Sequence, residues 1–592
     1  MLNGRIYRTW LIAVAMGVIV FAFSLGHAQG PLSTTLAPDA FNPANSGSAY
    51  EKLTMLAKRF PNRAPGSTAD AQLAQLVAGQ LGRSKFVVST QRFKADTSLG
   101  PRMLENVTGV RAGQPGSEIV VVAHRDSLRS PAASDLSGTA VLLQLADILS
   151  GETLNHSVVL ASISGSVGDA GAAALAREIR GPVDAVIVLG DLAGPSLRSP
   201  VVVPWSNRGA VAPTILRSTL AAALSSQAQI GPGQSSLAAQ FMHLAFPLAT
   251  SEQSPFVARG VPAVLLSTSG DRAPAASEPV DGNRIDALGR SALQTITALD
   301  GGPQIQAPSA YLLYAGNVVP SWAVSLLVLA LILPVLAATV DGLARARRRG
   351  HWVLRWVLWV LSAALPFGLA VLAVLIAKLT GLIGDATPEP VVGGVPMHGA
   401  GVALLLLAGF LVLAGFGLIR PRIVSLMGLA PHQSSQDVAG EGATAALMAV
   451  LCAVALAVWI ANPFAAILLV PALHLWLWAV APQVRPPRAV VTVLALAGIV
   501  APALAALYCA TALGVGPIGL VWAFTTMLAG GAIGLLTALE LAVIFGCVLS
   551  FALIAVAQAR QPRIAPVPVT VRGPITYAGP GSLGGTRSAL RR

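Results

Sequence analysis

The feature that most constrains this chain is the almost continuous apolar sequence between residues 320 and 559. It divides into stretches of about the length that a helix needs to cross a bilayer, roughly 20 residues. These stretches are 320–342, 353–377, 399–419, 441–461, 463–482, 489–512 and 532–558. A soluble core does not use so many such runs. The sequence therefore predicts an all-α, multi-pass transmembrane domain over residues 320–559.

Arginines mark every second loop between these stretches. They follow the first, third, fifth and last stretch, whereas the alternate loops 379–398 and 513–516 contain no Lys or Arg. Basic loops remain in the cytoplasm, so the pattern predicts a cytoplasmic C-terminus and an extracytoplasmic N-terminal half. A further span over 514–531 would reverse this order. We therefore expect that segment, which ends in Gly530-Gly531, to be re-entrant or interfacial.

The two ends of the chain have different signals. Arg5 and Arg8 precede an apolar stretch from Trp10 to Leu25, and small residues follow at Gly26-His27-Ala28. Residues 1–28 are thus either a cleaved signal peptide or a retained membrane anchor, and both place residue 30 onward outside the cytoplasm. Residues 560–592 are rich in Pro, Gly and Arg, which predicts a disordered basic tail.

The net charge of +13 does not indicate nucleic acid as a partner. Charged residues make up only 11% of the chain, against about 25% in soluble domains. The arginines cluster beside the apolar runs and in the tail, as membrane topology requires, and residues 30–310 contain no basic stripe interleaved with aromatics. The predicted partner of the basic residues is the lipid bilayer of the cell membrane.

Residues 46–302, set between linkers at 29–45 and 303–319, have the pattern of an α/β domain. Short apolar runs predict buried strands, and longer periodic segments predict helices between them. The strands are 118–123, 157–162, 183–189 and 260–266, and the helices are 136–149, 169–180 and two in 47–84. We therefore expect an α/β fold, a mixed sheet with helices on both faces.

Candidate site residues follow the ends of these strands, where α/β sheets place their chemistry. His124 and Asp126 follow the first buried strand, Asp191 follows the third, and Asp135 begins a helix. An imidazole with several carboxylates is a donor set that zinc accepts, and Asp126 could orient the His124 ring. The alternatives are a surface ion pair for His124, a helix cap for Asp135 and an ordinary loop acid for Asp191.

Several short segments resemble, in order, those of one enzyme family. They are PNRAPGS at 61–67, Asn106-Val107, HRDS at 124–127, SDLSGTA at 134–140, GDLAG at 190–194, SEQSPF at 251–256 and GVPA at 260–263. Together they are similar to the M28 family of zinc aminopeptidases, over about residues 46–302. The resemblance implies a zinc-exopeptidase-type fold and a site in which five protein ligands hold two zinc ions beside a glutamate general base.

The resemblance carries only part of that site to this chain. It implies that His124 is the first ligand, Asp135 the bridging ligand and Asp191 the fourth. Ser166-Val167 stand where the family has an adjacent Glu-Glu pair, and no histidine occurs in 273–276, where the late ligand falls. Glu252 replaces a family aspartate. At most partial zinc occupancy is expected, no catalytic residue is assigned, and Asp169 or Glu252 are the candidate substitutes.

Three hypotheses about function follow from this reading. The first is a catalytically degenerate M28-like domain that binds a peptide or a membrane-protein partner at the outer face. The second is an active zinc aminopeptidase that cleaves N-terminal residues with a rearranged site. The third places the function in the membrane domain, as a transporter or assembly factor, where Glu540 is a lone acid within an apolar stretch.

Overall fold

The structure is a computed structural model that describes residues 4–33, 41, 47–97, 100–128, 132–166, 169–233, 235–249, 251–274, 277–350, 352–383, 393, 395–426, 428, 438, 440–481 and 486–561. Most of the predicted linker at 29–45, and the predicted disordered tail from residue 562 onward, lie outside these residues.

A seven-stranded mixed sheet is the centre of the N-terminal half. The strands of the chain are β1 Gly26–His27, β2 Val87–Thr97, β3 Gly100–Arg111, β4 Glu118–His124, β5 Ser157–Ile163, β6 Val183–Leu189, β7 Val202–Val203, β8 Ala263–Leu266, β9 Tyr311–Tyr314 and β10 Asn317–Pro320. The order in the sheet is β2-β3-β5-β4-β6-β8-β7. The four strands β5, β4, β6 and β8 are parallel to one another, and the outer pairings are antiparallel.

Helices cover both faces of this sheet, as the sequence predicts. They are α2 Ala49–Arg59, α3 Thr68–Arg83, α4 Ser137–Leu149, α5 Ala170–Glu178, α6 Thr214–Gln227, α7 Leu237–Ala245, α8 Ser254–Val257 and α9 Gly282–Asp300, after an N-terminal helix α1 Gly4–Phe23. Serine hydroxyls cap α2 and α3, where Ser48 and Ser67 accept from the backbone N–H three residues on, the favoured N-cap arrangement.

Successive residues of the central strand β4 enter two different cores. Ile119 and Val121 pack with α4 and α9 on one face. Val120 and Val122 pack on the other face in a cluster that includes α5, α7 and α8 and continues into the C-terminal helices. Because side chains alternate along a strand, a strand buried on both faces must be apolar throughout, which explains the continuous run at 119–123.

A second sheet joins the two halves of the chain. It has three strands in the order β1-β10-β9, and Gly26 and His27 pair with Val318 and Asn317. Residues 303–319 are predicted as a linker, but they form most of the β9–β10 hairpin. The segment after α1 is thereby held beside the segment that leads into the first helix of the C-terminal half, which begins at Ser321.

The C-terminal half is a bundle of apolar helices. They are α10 Ser321–Arg348, α11 Val353–Leu361, α12 Leu365–Leu379, α13 Gly399–Ala414, α14 Arg420–Leu426, α15 Glu441–Ala461, α16 Pro463–Ile467, α17 Val470–Ala479, α18 Arg488–Leu513, α19 Pro517–Gly530 and α20 Leu535–Arg560. A 3₁₀ turn at Ser362–Ala364 joins α11 to α12, and a π turn at Gly415–Ile419 joins α13 to α14.

Seven helical segments of the described chain are long and apolar enough to cross a membrane, and one of them is α1. The other six match six of the seven stretches predicted between 320 and 559. The stretch 463–482 instead forms the short helices α16 and α17, separated by Leu468 and Leu469, and its last residue lies outside the described residues. α19 is also too short to count among the seven helical segments that could cross a membrane.

Hydrogen bonds identify which end of the bundle faces the α/β domain. Arg272 of the domain donates to the carbonyls of Thr511 and Ala512 at the end of α18. At the opposite end of α18, Arg488 donates to the Ala559 carbonyl near the end of α20. Both termini of α19 therefore lie on the domain side, because α19 connects the end of α18 to the start of α20. This placement agrees with a segment that does not span.

The N-terminal helix packs along the outer side of the bundle, and Gly17 is its one buried residue. Gly17 lies against α10 so closely that a Cβ would be 2.7 Å from the Ala330 Cβ. The Tyr7 hydroxyl is 2.7 Å from His474 Nδ1, and His474 Nε2 is 2.9 Å from the Leu331 carbonyl oxygen. Residues 4–23 thus contact the bundle through one face of α1.

Candidate functional site

The carboxyl ends of the four parallel strands meet at one edge of the sheet, and their loops form the candidate site. β4 ends at His124, β5 leads to Ser164–Ser166, β6 leads to Asp191, and β8 leads to Ser267–Ser269. Gly138 in the first turn of α4 lets that helix approach β6, because a Cβ there would overlap the Leu189 carbonyl oxygen. The SDLSGTA segment therefore has a packing role as well as a site role.

His124 lies between two carboxylates. Its Nδ1 is 2.9 Å from Glu252 Oε1, and its Nε2 is 3.6 Å from Asp135 Oδ1. The Nδ1 contact is short but is not aligned as a hydrogen bond, so we describe it as an ion pair. Burial lowers the pKa of His124, but Glu252 and Asp135 outweigh burial and raise it well above 6.5. Both ring nitrogens of His124 therefore face carboxylates of this chain.

Asp135 is part of the same buried cluster and does not cap α4. Its Oδ2 accepts a 2.6 Å hydrogen bond from the Ser127 hydroxyl. Burial raises the pKa of Asp135, but the His124 imidazolium, Ser127 and the guanidinium of Arg63 lower it below its ordinary value overall. α4 begins after Leu136 without a side-chain cap, so the helix-cap alternative for Asp135 is wrong.

Asp191 is bound on both oxygens by donors from this chain. Oδ1 accepts from the Ser134 hydroxyl and from the backbone N–H groups of Ala193 and Gly194. Oδ2 accepts from Thr268 at 2.8 Å and from Ser269 at 2.6 Å. These bonds tie the loops after β6 and β8 to the start of α4. Asp191 is therefore the hub of a buried hydrogen-bond network, rather than an open ligand.

Asp126 does not orient the His124 ring, since Glu252 and Asp135 are the carboxylates beside it. Both oxygens of Asp126 lie 3.2 Å from the Ser166 backbone nitrogen, and Oδ2 accepts at 3.0 Å from the Ser166 hydroxyl. Burial and the nearby Asp70 raise the pKa of Asp126 to about 6. The serine at the position of the family's acidic pair thus serves as a donor to Asp126.

Glu252 and Asp169, the candidate replacements for the missing acidic residues of the family site, lie in different places. Glu252 lies beside His124, at the distance given above, and is 5% exposed. Asp169 precedes α5 with a left-handed backbone, at φ 51°, and is also buried. Val167, between Ser166 and Asp169, lies outside the described residues, as do positions 275 and 276 of the stretch expected to hold a late ligand.

Two buried arginines belong to this region and are absent from the sequence-based candidates. Arg125 is fully buried and forms a 2.8 Å ion pair with Asp70. Arg63 is 1% exposed and donates to the Ala132 carbonyl, and burial lowers its pKa although Asp135 and Asp126 oppose that effect. Arg63 lies in the PNRAPGS segment, so this motif could have identified it as a residue of the site.

These contacts do not fit a two-zinc centre. Among the residues that the structure describes, no three His, Cys, Asp or Glu side chains form a group that could hold a metal ion. His124 is paired on both ring nitrogens, and each Asp191 oxygen accepts at least two hydrogen bonds. Zinc binding would require His124 to break its carboxylate contacts and Asp191 to break its hydrogen bonds.

Comparisons with solved structures find proteins similar to the α/β half. A zinc aminopeptidase from Bacillus subtilis is 11% identical and aligns over 42% of this chain and 93% of its own, with a TM-score of 0.35. A Porphyromonas gingivalis glutaminyl cyclase is 18% identical and aligns over 44% and 99%, with a TM-score of 0.32. A leucine aminopeptidase precursor from Bacteroides thetaiotaomicron is 14% identical and aligns over 45% and 99%, with a TM-score of 0.35.

No protein-family model and no curated protein matches the chain. The structural alignments have TM-scores below 0.5. The strand order and the helices on both faces define the domain as a mixed α/β fold.

Proposed function

We propose that this chain is a membrane-anchored, M28 peptidase-like protein whose α/β domain binds a peptide or a membrane-protein partner without cleaving it. The observation that carries the proposal is the contact of both His124 ring nitrogens with carboxylates of this chain, Glu252 at Nδ1 and Asp135 at Nε2. A hydrolase of this kind needs a metal-bound water and a carboxylate that accepts its proton. Here the carboxylates beside His124 face its ring nitrogens instead.

The polar groups of the cleft favour binding over catalysis. Serine and threonine hydroxyls surround the carboxylates, and each hydroxyl that binds Asp126, Asp135 or Asp191 acts as a donor. Such a network fixes the shape of the loops at the strand ends. The carboxyl edge of the parallel strands is where ligands of α/β sheets bind.

The arrangement of arginines supports an extracytoplasmic position for this domain. Arg345, Arg347 and Arg348 end α10, and Arg488 and Arg560 lie at the end of the bundle remote from the Arg272 contact. Basic residues at one end of a helical bundle favour the cytoplasmic side. The α/β domain would then face outward, and the tail from residue 560 would be cytoplasmic.

The test is an activity and binding comparison on the full-length protein in detergent. We expect no release of N-terminal residues from aminoacyl anilides or from a peptide library in the presence of zinc. We also expect retention of a subset of peptides, or of a co-purifying membrane protein, on the immobilised chain. A matched variant, Leu128→Asp, changes an exposed apolar side chain beside the cleft and should weaken that retention.

Zinc-dependent aminopeptidase activity that Glu252→Gln abolishes would instead support a rearranged active site. Absence of both activity and peptide retention would exclude the binding role of the cleft.

A further inference from the structure

The bundle contains a buried arginine whose charge no carboxylate of the described chain neutralises. Arg420 follows the π turn Gly415–Ile419 and is 8% exposed. Its side chain contacts Trp359 and Ser362, which lie six and nine residues inside the apolar segment Val353–Leu379. At 1.5 Å per residue, the guanidinium lies about 10 Å inward from the start of that segment.

The local backbone directs Arg420 into the bundle. Gly415, the first residue of the π turn, packs against Pro366, where a Cβ would lie 3.0 Å from the Pro366 Cα. A π turn accommodates one more residue than an α turn and so changes which side chains face the neighbouring helix. Such turns are common at functional sites. The close glycine contact and the π turn together bring Arg420 against the junction of α11 and α12.

The contacts of Arg420 leave part of its guanidinium unused. Nε donates to the Ser362 hydroxyl at 3.1 Å, and one terminal nitrogen donates to the Trp359 carbonyl at 3.3 Å. The group lies over the rings of Trp359 and Phe416, at 5.0 and 5.3 Å from their centres. Arginine has five N–H donors, and among the ion pairs within the described residues none includes Arg420.

An unneutralised cation at this depth is costly unless an anion accompanies it. The apolar side chains of Leu361 and Leu418, which flank Arg420 in the sequence segments that form the site, are 37% and 57% exposed on the bundle surface. A ligand with acyl chains as well as an anionic group matches this combination of a buried cation and exposed apolar side chains. A phosphodiester fits the guanidinium, because its oxygens accept from two N–H groups at once.

We propose that Arg420 binds the phosphate of an anionic phospholipid from the leaflet on the side of the bundle remote from the α/β domain. A zwitterionic lipid would bring a second cation towards Arg420 and towards Arg422, which is exposed two residues further on. The site is separate from the cleft of the α/β domain, and the proposal does not depend on whether that cleft cleaves peptides.

The test is native mass spectrometry and thermal unfolding of the full-length protein in detergent, with phosphatidylglycerol, phosphatidylcholine or inorganic phosphate added. We expect phosphatidylglycerol to remain bound in preference to phosphatidylcholine and to raise the unfolding temperature. Arg420→Gln should weaken the preference about tenfold, because a hydrogen bond to a charged group is lost. Arg422→Gln, which removes an exposed charge from the same turn, is the matched control.

Each outcome decides the proposal. Equal losses in Arg420→Gln and Arg422→Gln would show that diffuse charge attracts the lipid, and stabilisation by inorganic phosphate alone would show a free-anion site. If Arg420→Gln does not fold, Arg420→Lys retains the charge but not the planar fork and should weaken the preference by a smaller factor. Equal binding of phosphatidylglycerol and phosphatidylcholine to the unaltered protein would overturn the proposal without any variant.

Discussion

Buried charges occur in two regions of this molecule, the cleft of the α/β domain and the bundle near Arg420. In the cleft, His124, Asp135, Glu252 and Asp191 satisfy one another or are satisfied by neighbouring hydroxyl and N–H groups. In the bundle, Arg420 has two hydrogen bonds and two aromatic faces but no carboxylate within the described chain.

This difference separates a network whose charges already have partners within the chain from a buried charge that needs an external one. Breaking a buried ionic network by removing one member is costly, because the remaining groups lose their partners. Adding a metal ion to such a network gives little, because the atoms that would bind it are already in use. At Arg420 the reverse holds, since the ligand supplies the missing anion.

The largest effect should come from Asp191→Ala, which leaves the donors of Ser134, Thr268, Ser269, Ala193 and Gly194 without their acceptor. We expect a loss of about 3–5 kcal/mol in the stability of the α/β domain, the usual cost of removing one partner from a buried charged network. Thermal unfolding and hydrogen exchange of the 190–194 loop measure it.

Asp191→Asn is the matched control, since it keeps one acceptor oxygen and should lose less. A stable Asp191→Ala protein with unchanged hydrogen exchange at 190–194 would show that this network does not hold the cleft together.

Glu252→Gln should have the next largest effect. It removes the anion that most raises the pKa of His124, so that pKa should fall towards 6.5 and the domain should lose about 1–3 kcal/mol at neutral pH. Titration of the His124 ring by NMR reports the shift directly. The exposed Glu152→Gln variant removes the same charge elsewhere and should leave the ring unaffected.

The stability of the domain should also depend on pH. The pKa of His124 is higher in the folded than in the unfolded chain, so its contribution is complete below pH 6.5 and is lost as the pH rises through the folded value. Asp126, with a folded pKa of about 6 against 3.8, adds a loss of stability as the pH rises between those two values. Asp135, whose pKa is lowered, acts in the opposite direction, and stability is lost as the pH falls below 3.8.

Unfolding midpoints measured between pH 4 and pH 9 test this dependence. Asp126→Asn should flatten the part of the curve below pH 6, and Glu252→Gln should flatten the part above pH 6.5. A curve that rises steadily through pH 6.5–8 in the unaltered protein would contradict the assigned charge of His124.

The smallest effect is expected for Ser166→Ala. This variant removes the 3.0 Å hydroxyl hydrogen bond to Asp126 but keeps the backbone N–H that lies 3.2 Å from both carboxylate oxygens. A single hydrogen bond contributes about 1 kcal/mol, and the pKa of Asp126 should rise further when it is lost. A change much larger than this would indicate a role for Ser166 beyond binding Asp126.

The sequence predicts the mixed sheet and the long apolar helices because their signals are local. The run 119–123 is apolar at every position since both faces of β4 are buried, and the capping serines of α2 and α3 precede their helices directly. The β9–β10 hairpin is also local, with a two-residue turn at Ala315-Gly316, and it was missed although its signal was present. Only its pairing with β1, about 290 positions away, lies beyond a local signal.

The candidate site was predictable by position but not by bonding. The predicted strand ends identified His124 and Asp191 as candidates, the predicted helix start identified Asp135, and the family motifs identified Glu252. The sequence could not show that Ser134, Thr268 and Ser269 converge on Asp191, because Ser134, Asp191 and the Thr268-Ser269 pair come from three separate segments of the chain. The ion pair of Arg125 with Asp70 on α3 likewise joins two separate segments.

Zinc binding by the full-length protein tests the central claim most directly. After dialysis at pH 7.5 against a small excess of zinc, elemental analysis should find no more metal in the unaltered chain than in the His124→Ala variant. Two zinc ions per chain, lost on changing His124 or Asp191, would contradict the claim that this cleft neutralises its own charges.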